Sequence, residues 1–486
     1  MAGVSVDKLP DSLHFAGIGG IGMSGLAQMA LALGHEVSGS DRAYGKAENK
    51  ALFDALISQN ARIFPQDGSR YEEGEQPGAI VYSTAVEKTN ADFEKAPSGI
   101  GLLHRSQAMA LAINELKCEN NFAVAGTCGK TSVTAHLAEA LKVLGTDPGV
   151  LCGGLVNAFK TEKMAGNFAA GAGKYFVIEA DESDKSLLNY PVDAAMVLNI
   201  GTDHYSREEL CQVFGQFLMQ TSRIAVIQDE AYLEMKNVLP PPVGHLEKMI
   251  FSTNGNMPSE IDGIKVIKAV DYQKERSGAF TVKIDGMRTV LPAPGLYTAA
   301  NACAVYTSLL LLGFAPKDAI EAVQDFHGVW RRFDLAGKME NGAKVYDDYA
   351  HNVEKILSCL SAAKEVADGR VFALFQPHGF APLSFMREEL FARLENYLSS
   401  TDVFGFLPVY YAGGSASFTP TSDEVVLSYI QKTNSPGGRM NNYISFADRN
   451  SARDYVRKNA EKGDVVLVMG ARDNSLSFYA KELADS

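Results

Sequence analysis

The sequence predicts an α/β protein of three domains, and three observations predict it. Apolar runs of strand length alternate with helix-length amphipathic segments almost throughout, the pattern of parallel sheets with crossover helices. Two glycine-rich turns, at 17–22 and 126–132, each lie between a strand and a helix. The chain has 486 residues, of which 46% are hydrophobic and 21% charged. That supplies about three cores at roughly 150 residues each and disfavours intrinsic disorder.

The first region, 1–117, opens with strand LHFAG, a glycine turn, a helix from Ser24 towards Leu33 and a second strand, HEVSGSD. It is expected to be Rossmann-like. The second, 118–326, starts with strand NFAVAG, the second glycine turn and another helix. There Val133, Leu137, Leu141 and Leu144 fall at i, i+4, i+8 and i+11 before Gly145 ends the helix. A P-loop ATPase-type, mostly parallel sheet is expected. The third, 327–486, alternates strands AKVYDDYA, RVFALFQ, DVFGFL and DVVLVMG with helices, a second Rossmann-like unit. FSTNGNMPSE and KTNSPGGRMNN read as exposed loops.

With 45 Lys and Arg against 58 Asp and Glu, the net charge is −13. No general excess of cations exists to neutralise nucleic acid or an anionic membrane, although a small anionic ligand needs only a few local donors. Six cysteines (118, 128, 152, 211, 303 and 359) are scattered without a C-x-x-C pair, as reduced thiols are. MAGVSVDKLPDSLHF shows no basic segment leading into an apolar one, and the run Leu309–Leu312 is too short to span a bilayer. The expected location is the cytoplasm.

Gly17, Gly19, Gly20 and Gly22 form a G-x-G-x-x-G turn between strand and helix, and Asp41 ends the next strand. Such glycines let a diphosphate approach the backbone at a helix N-terminus. Alone, the motif fits a nicotinamide dehydrogenase or a tight turn with no ligand. The second turn is more specific: Gly126, Thr127, Cys128, Gly129, Lys130, Thr131 and Ser132 make a shortened P-loop, Val124 standing where the full spacing has glycine. Backbone N–H groups would cradle phosphates, Lys130 would reach the terminal ones, and Thr131 would offer a hydroxyl to Mg²⁺.

EADESD places Glu179, Asp181, Glu182 and Asp184 within six residues at a strand end, where they repel unless a cation intervenes. The next strand ends in Thr202, Asp203 and His204. Thr131, Glu179 and His204 thus make a candidate metal set, Mn²⁺ being acceptable because imidazole is an uncommon Mg²⁺ ligand. A solvated acidic loop with a hydrogen-bonded histidine is the plain alternative. Arg331 and Arg332 could answer phosphate charge, Asp347, Asp348 and His351 follow a strand, and Asn301 opens a helix with an amide suited to a base edge.

HFAGIGGIGMSGLA, VSGSD, GTCGKTS, EADESD, NIGTDH, GVWRRF, DDYAH, FQPH and GARDNS, in this order across almost the whole chain, resemble the Mur ligase family, the ATP-dependent amino-acid ligases of peptidoglycan synthesis. The resemblance is strongest to the branch that joins L-alanine to UDP-N-acetylmuramate. It implies a UDP-sugar on 1–117, held by Gly17, Gly19, Gly20 and Gly22 with Ser40, Asp41 and Arg105. It implies ATP on 118–326 through Gly126, Thr127, Gly129, Lys130, Thr131, Ser132 and Asn301, with metal on Thr131, Glu179 and His204. From 327–486, an amino-acid and nucleotide domain that closes over both, Arg331, Arg332 and Asp348 would serve nucleotide and phosphate, and His351 would lie near the reacting groups. The implied catalytic set is Lys130, His204, Arg331, Arg332 and His351, in a monomer or homodimer.

The chain departs from the family pattern at several points. Cys128 replaces a usual histidine, Tyr297 and Thr298 replace the His-Asn pair before Asn301, and DDYAHHP ends as Asn352 and Val353. Gly379 and Pro382 stand where FQPHRYSR-type segments have arginines, Arg387 being the nearby candidate replacement. The acceptor is therefore open between L-alanine and a peptide, as in the muropeptide ligases of cell-wall recycling. A non-catalytic nucleotide-binding relative is the other alternative.

Overall fold

The computed structural model describes residues 8–74, 76–182, 185–189, 192–201, 205–238, 245–411, 417–433 and 443–486. Among them no helix is long and apolar enough to cross a membrane. Three sheets organise the chain. The first has five parallel strands in the order Arg62–Phe64, Glu36–Ser40, Ser12–Ala16, Ala79–Tyr82 and Gly101–His104. Its order reverses at Ser12–Ala16, so the crevice beyond that strand's carboxyl end is where this topology opens to a ligand. The following helix, Ile21–Ala32, begins three residues before Ser24, with Gly22 in its first turn.

In the second sheet seven strands run parallel, in the order Ile264–Lys274, Glu247–Ser252, Ile224–Gln228, Ala194–Val197, Asn120–Ala125, Tyr175–Glu179 and Gly149–Leu151. The segment 264–291 departs from strand–helix alternation. It continues as antiparallel Phe280–Ile284 and Met287–Leu291. Ile284 and Met287 pair across Asp285 and Gly286, at φ +48° and +80°, the two-residue turn whose twist suits a hairpin. The third sheet runs Asp334–Lys338, Lys344–Asp348, Val465–Met469, Val371–Phe375, Val403–Phe406 and Tyr443–Ser445, parallel apart from its first pair.

The chain forms two compact units. One holds the first two sheets and reaches residue 330, without 276–278 and 293–295; the other holds those short pieces and 331–486. The first two sheets share one apolar core, from Phe15 and Leu26 to Phe176 and Phe214. Small size permits that packing: a Cβ on Gly25 would come within 2.6 Å of Leu151 Cδ1. Beside it the buried Gln28 amide donates to Asn167 Oδ1 at 2.8 Å, so polar atoms enter the shared core only as a satisfied pair. Residues 434–442 of the expected KTNSPGGRMNN loop lie outside the described residues.

Candidate active site

Strand Asn120–Ala125 is buried along its whole length and delivers the chain into the phosphate-type turn. Gly126 and Gly129 take φ of +139° and +88°, a region closed to most side chains. Helix Lys130–Val143 follows at once, aiming its N-terminal N–H groups at the turn. The turn is laced from the neighbouring strand end. Asn199 Oδ1 accepts from Cys128 N–H and Asn199 Nδ2 donates to the Cys128 carbonyl, both at 2.8 Å. The Thr127 hydroxyl accepts from Gly201 N–H at 2.8 Å, so that side chain shapes the turn. Sequence reasoning passed over Asn199, although its place directly after a strand in NIGTDH was the available signal.

Lys130 Nζ donates to the Gly126 carbonyl at 2.8 Å and to Glu182 Oε2 at 2.6 Å. Burial works to strip its proton, but Glu182, Glu179 and Asp181 outweigh that and hold the ammonium above its ordinary range. Thr131 Oγ1 donates to Glu179 Oε1 at 3.1 Å, while Oε2 accepts from Gly153 N–H at 2.8 Å. Thr131 and Glu179 are therefore together; Ser132 is in the same helical turn, half-buried. Thr202, Asp203, His204 and Asp184 lie outside the described residues. Among the described residues no three His, Cys, Asp or Glu side chains gather as a metal set. The hydroxyl and carboxylate that do meet are hard oxygen donors, which fit Mg²⁺. Asn301 reaches the same turn: a Cβ on Gly129 would lie 3.3 Å from its Oδ1. It sits inside helix Leu296–Leu311 and does not open it, a correction to the sequence reading.

The first glycine turn is held by the strand that follows. Gly17 and Ile18 N–H groups donate to the Ser40 carbonyl at 2.9 and 3.0 Å. Gly19 N–H donates to Asp41 Oδ2 at 2.8 Å, and Oδ1 accepts from Ala43 N–H at 2.7 Å. The buried Ser40 hydroxyl faces inward and donates to Asp92. Arg105 begins helix Arg105–Leu116. Its Nη1 would be 2.5 Å from a Cβ on Gly22, and its Nη2 is 3.9 Å from Asp181 Oδ2. Gly20 precedes the first helix as its cap in extended conformation. One arginine thus joins the glycine turn to the acidic loop.

In the other unit Arg331 is 1% exposed, at φ +58°. Its Nε lies 3.1 Å from Asp347 Oδ1, and its Nη groups donate to the Asp473 and Gly470 carbonyls at 2.9 and 2.7 Å. A guanidinium so fully engaged holds its own sheet together, which corrects the reading of Arg331 as a phosphate partner. Arg332 lies over the Tyr349 ring, 5.7 Å from its centroid. Asp348 accepts from Phe333 and Ala350 N–H at 2.6 and 2.7 Å; burial pushes its carboxyl up, and Arg332 opposes this. His351 Nδ1 donates to the Tyr349 carbonyl at 2.9 Å. Its ring meets His378 edge-on at 5.2 Å. Burial chiefly, then Lys355, brings His351 down to about 4, and burial with Arg472 and Lys355 brings His378 to about 4.

The chain matches the Mur ligase family catalytic domain over residues 12–116, the Mur ligase middle domain over 124–309 and the Mur ligase glutamate ligase domain over 331–472. The chain belongs to the Mur ligase family. It is an ATP-dependent, amide-bond-forming ligase of peptidoglycan synthesis. It is 33% identical over 493 residues to the UDP-N-acetylmuramate–L-alanine ligase of Sinorhizobium medicae, covering 98% of this chain and 97% of that one. Identity to the ligase of the same name from Paracoccus denitrificans is 32%, with 98% of each covered. In fold it is similar to the UDP-N-acetylmuramate-alanine ligase of Thermotoga maritima, with TM-score 0.75 and 23% identity over 97% of this chain and 98% of that one. It is also similar to a murein peptide ligase of Psychrobacter arcticus, with TM-score 0.67, 22% identity and 97% of each covered.

Within this Mur ligase the departures from the family pattern have physical places. Asn352 caps helix Val353–Val366, accepting from Lys355 N–H at 3.0 Å, and Val353 is buried. Gly379 precedes helix Phe380–Leu394, with Pro382 in its first turn, where a missing N–H costs least. Arg387 is eight residues past Gly379, about 12 Å along a helix axis.

Proposed function

We propose that this Mur ligase joins L-alanine to the lactyl carboxylate of UDP-N-acetylmuramate at the expense of ATP. The observation that carries the reading is the phosphate turn, with Lys130 at its mouth and Thr131 hydrogen-bonded to Glu179. The acceptor follows the relatives named for L-alanine, alike over nearly the whole chain.

A carboxylate resists amide formation because oxide is a poor leaving group. In the proposed reaction a carboxylate oxygen attacks the γ-phosphorus, the bond to the bridging oxygen breaks and ADP departs. The amine lone pair then adds to the carbonyl of the acyl phosphate, the carbon–oxygen bond to phosphate breaks, and the nitrogen loses its proton. Lys130 neutralises charge on the moving phosphoryl group, and the N-terminal N–H groups of its helix orient the chain of phosphates. Thr131 and Glu179, with His204 as the further proposed ligand, would hold Mg²⁺. The ion supplies compensation for phosphate charge when bound. Asn301 would serve the nucleotide, and Arg332 and Asp348 nucleotide and phosphate together. The glycine turn with Arg105 receives UDP, Asp41 acting through the Gly19 amide. His351, neutral at pH 7 with its Nδ1 proton committed, offers Nε2 as an acceptor to the incoming ammonium. The reaction is proposed to take place in the cytoplasm.

Phosphate release is the test, with Mg²⁺, ATP and UDP-N-acetylmuramate present and each amino acid or a muramyl-type tripeptide added in turn. Release that requires L-alanine, and that Lys130→Ala abolishes, is the expected result. Release with the tripeptide alone would move the chain to the muropeptide ligases. No release with any acceptor would favour a non-catalytic relative.

A further inference from the structure

The second unit gathers positive and neutral nitrogen groups at one end of its sheet. Strands Lys344–Asp348, Val465–Met469 and Val371–Phe375 are adjacent and parallel. Just past their carboxyl ends come His351, Arg472 and His378 respectively. Two long helices, Val353–Val366 and Phe380–Leu394, begin directly after the two histidines, with Lys355 in the first turn of one. Their dipoles add positive potential to that of the side chains.

The carboxylates of this neighbourhood are already committed. Asp347 holds Arg331 and Ser477. Asp348 holds the Phe333 and Ala350 amides beside Arg332. Asp473 accepts from Gln376 at 2.8 Å, from Ser475 and from Arg449. No side-chain partner for the exposed Arg472 guanidinium is found among the described residues. Buried Nδ1 of His378 likewise has no hydrogen-bond partner among them.

Arg472 is also held in an unfavourable conformation. Its φ is +66°, a region that costs a residue with a Cβ and persists where surroundings impose it. Its N–H donates to Tyr349 Oη at 3.1 Å. Tyr349 meets His351 edge-on at 5.8 Å, and His351 meets His378 in the same way at 5.2 Å. Backbone and rings therefore fix the arginine beside the histidine pair. Its charge acts on His378 second only to burial.

We propose that Arg472, with Lys355 and His378, receives the carboxylate of the amine-bearing acceptor. This takes the place of the arginines lacking at Gly379 and Pro382, and it rests on the ligase reading above. Arg387, two turns along its helix, is not required. A guanidinium binds a carboxylate through two parallel hydrogen bonds, and the two imidazoles, neutral at pH 7, add no repulsion to the acceptor's ammonium.

Arg472→Gly is the decisive variant, because glycine relaxes the backbone at this φ and the variant is expected to melt no lower than the parent. Initial rates are measured with Mg²⁺, ATP and UDP-N-acetylmuramate against L-alanine and against L-alaninamide, which lacks the carboxylate. The KM for L-alanine should rise about 10- to 100-fold, the range for a lost charge-assisted hydrogen bond, while the KM values for ATP and UDP-N-acetylmuramate stay within about twofold. Preference for L-alanine over L-alaninamide should shrink by the same factor, and Arg472→Lys should restore part of it. An unchanged KM for L-alanine, or an equal rise in the KM for ATP, overturns the assignment while leaving the ligase intact. Absence of acceptor-dependent release in the parent protein overturns the ligase reading itself, and this assignment with it.

Discussion

Replacing Glu182 by glutamine should tighten binding of Mg²⁺-ATP. The Lys130–Glu182 pair is 2.6 Å long, with side-chain exposures of 13% and 4%, so nucleotide phosphates must compete with a shielded carboxylate for the same ammonium. At an effective dielectric of 20 and roughly 3.5 Å between charge centres, the attraction is about 5 kcal/mol. Only part of that opposes binding, because Glu179 and Asp181 still face Lys130 and Glu182 recovers some hydration when released. A net penalty of about 1–3 kcal/mol remains, within the range for charged hydrogen bonds. Glu182→Gln should therefore lower the Kd of a non-hydrolysable ATP analogue about 5- to 160-fold by titration calorimetry. The variant should also lose stability, because Lys130 keeps its bond to the Gly126 carbonyl but loses its nearest counter-charge. Repeating the titration with Lys130→Ala and the double variant isolates the coupling. A Kd that rises or does not move on Glu182→Gln, or a coupling near zero, would refute the idea that Lys130 is handed from carboxylate to phosphate.

Two other tests probe the same unit. Asn199→Ala removes both hydrogen bonds to the Cys128 backbone; with two part-buried groups unpaired, the loss should be about 2–4 kcal/mol, read as a lower melting temperature and a KM for ATP raised at least tenfold with UDP-sugar binding unchanged. His136, buried and bonded through Nε2 to the Val323 carbonyl at 2.8 Å, is driven down to about 4, chiefly by burial. Its folded pKa lies below the unfolded value, so the unfolded chain takes up a proton that the folded one refuses. Stability should then fall as pH drops from about 6.5 towards 4, by up to about 1.4 kcal/mol per pH unit from this group. Urea melts at pH 7 and pH 5 check it: His136→Phe should lose less on acidification than the parent, and an equal loss would show that His136 is not the source.

The fold was legible wherever one face decides burial. FAVA and FVIE read as strands because every residue is apolar or at the ligand end, and both lie deep in the second sheet. Glycine turns were legible because positive φ is a constraint that few residues meet. The antiparallel segment 264–291 was not, since a parallel edge and a hairpin use the same β-branched residues and differ only in partner. The shared core of the first two sheets was hidden for a related reason: it depends on Gly25 and Asn167 being small and polar in the right place, not on a run of apolar residues.

Within the site, residue type was legible and direction was not. Arg331 and Arg332 are identical as letters and both lie over Tyr349, yet the first, at φ +58°, is buried and bonded within its own sheet while the second is half-buried. EADESD offered four equivalent carboxylates, and the fold separates three of them: Glu179 to Thr131, Asp181 towards Arg105, Glu182 to Lys130. Each assignment follows from which strand end or helix start faces the side chain, and that pairing is made across long stretches of chain. The same reasoning explains why Gly379 and Pro382 could be read as losses while sequence proximity pointed only to Arg387 as their replacement. Arg472 is ninety residues further on, but its strand pairs directly with Val371–Phe375, which leads to His378. Sheet order, not sequence distance, decides which arginine can stand in for another.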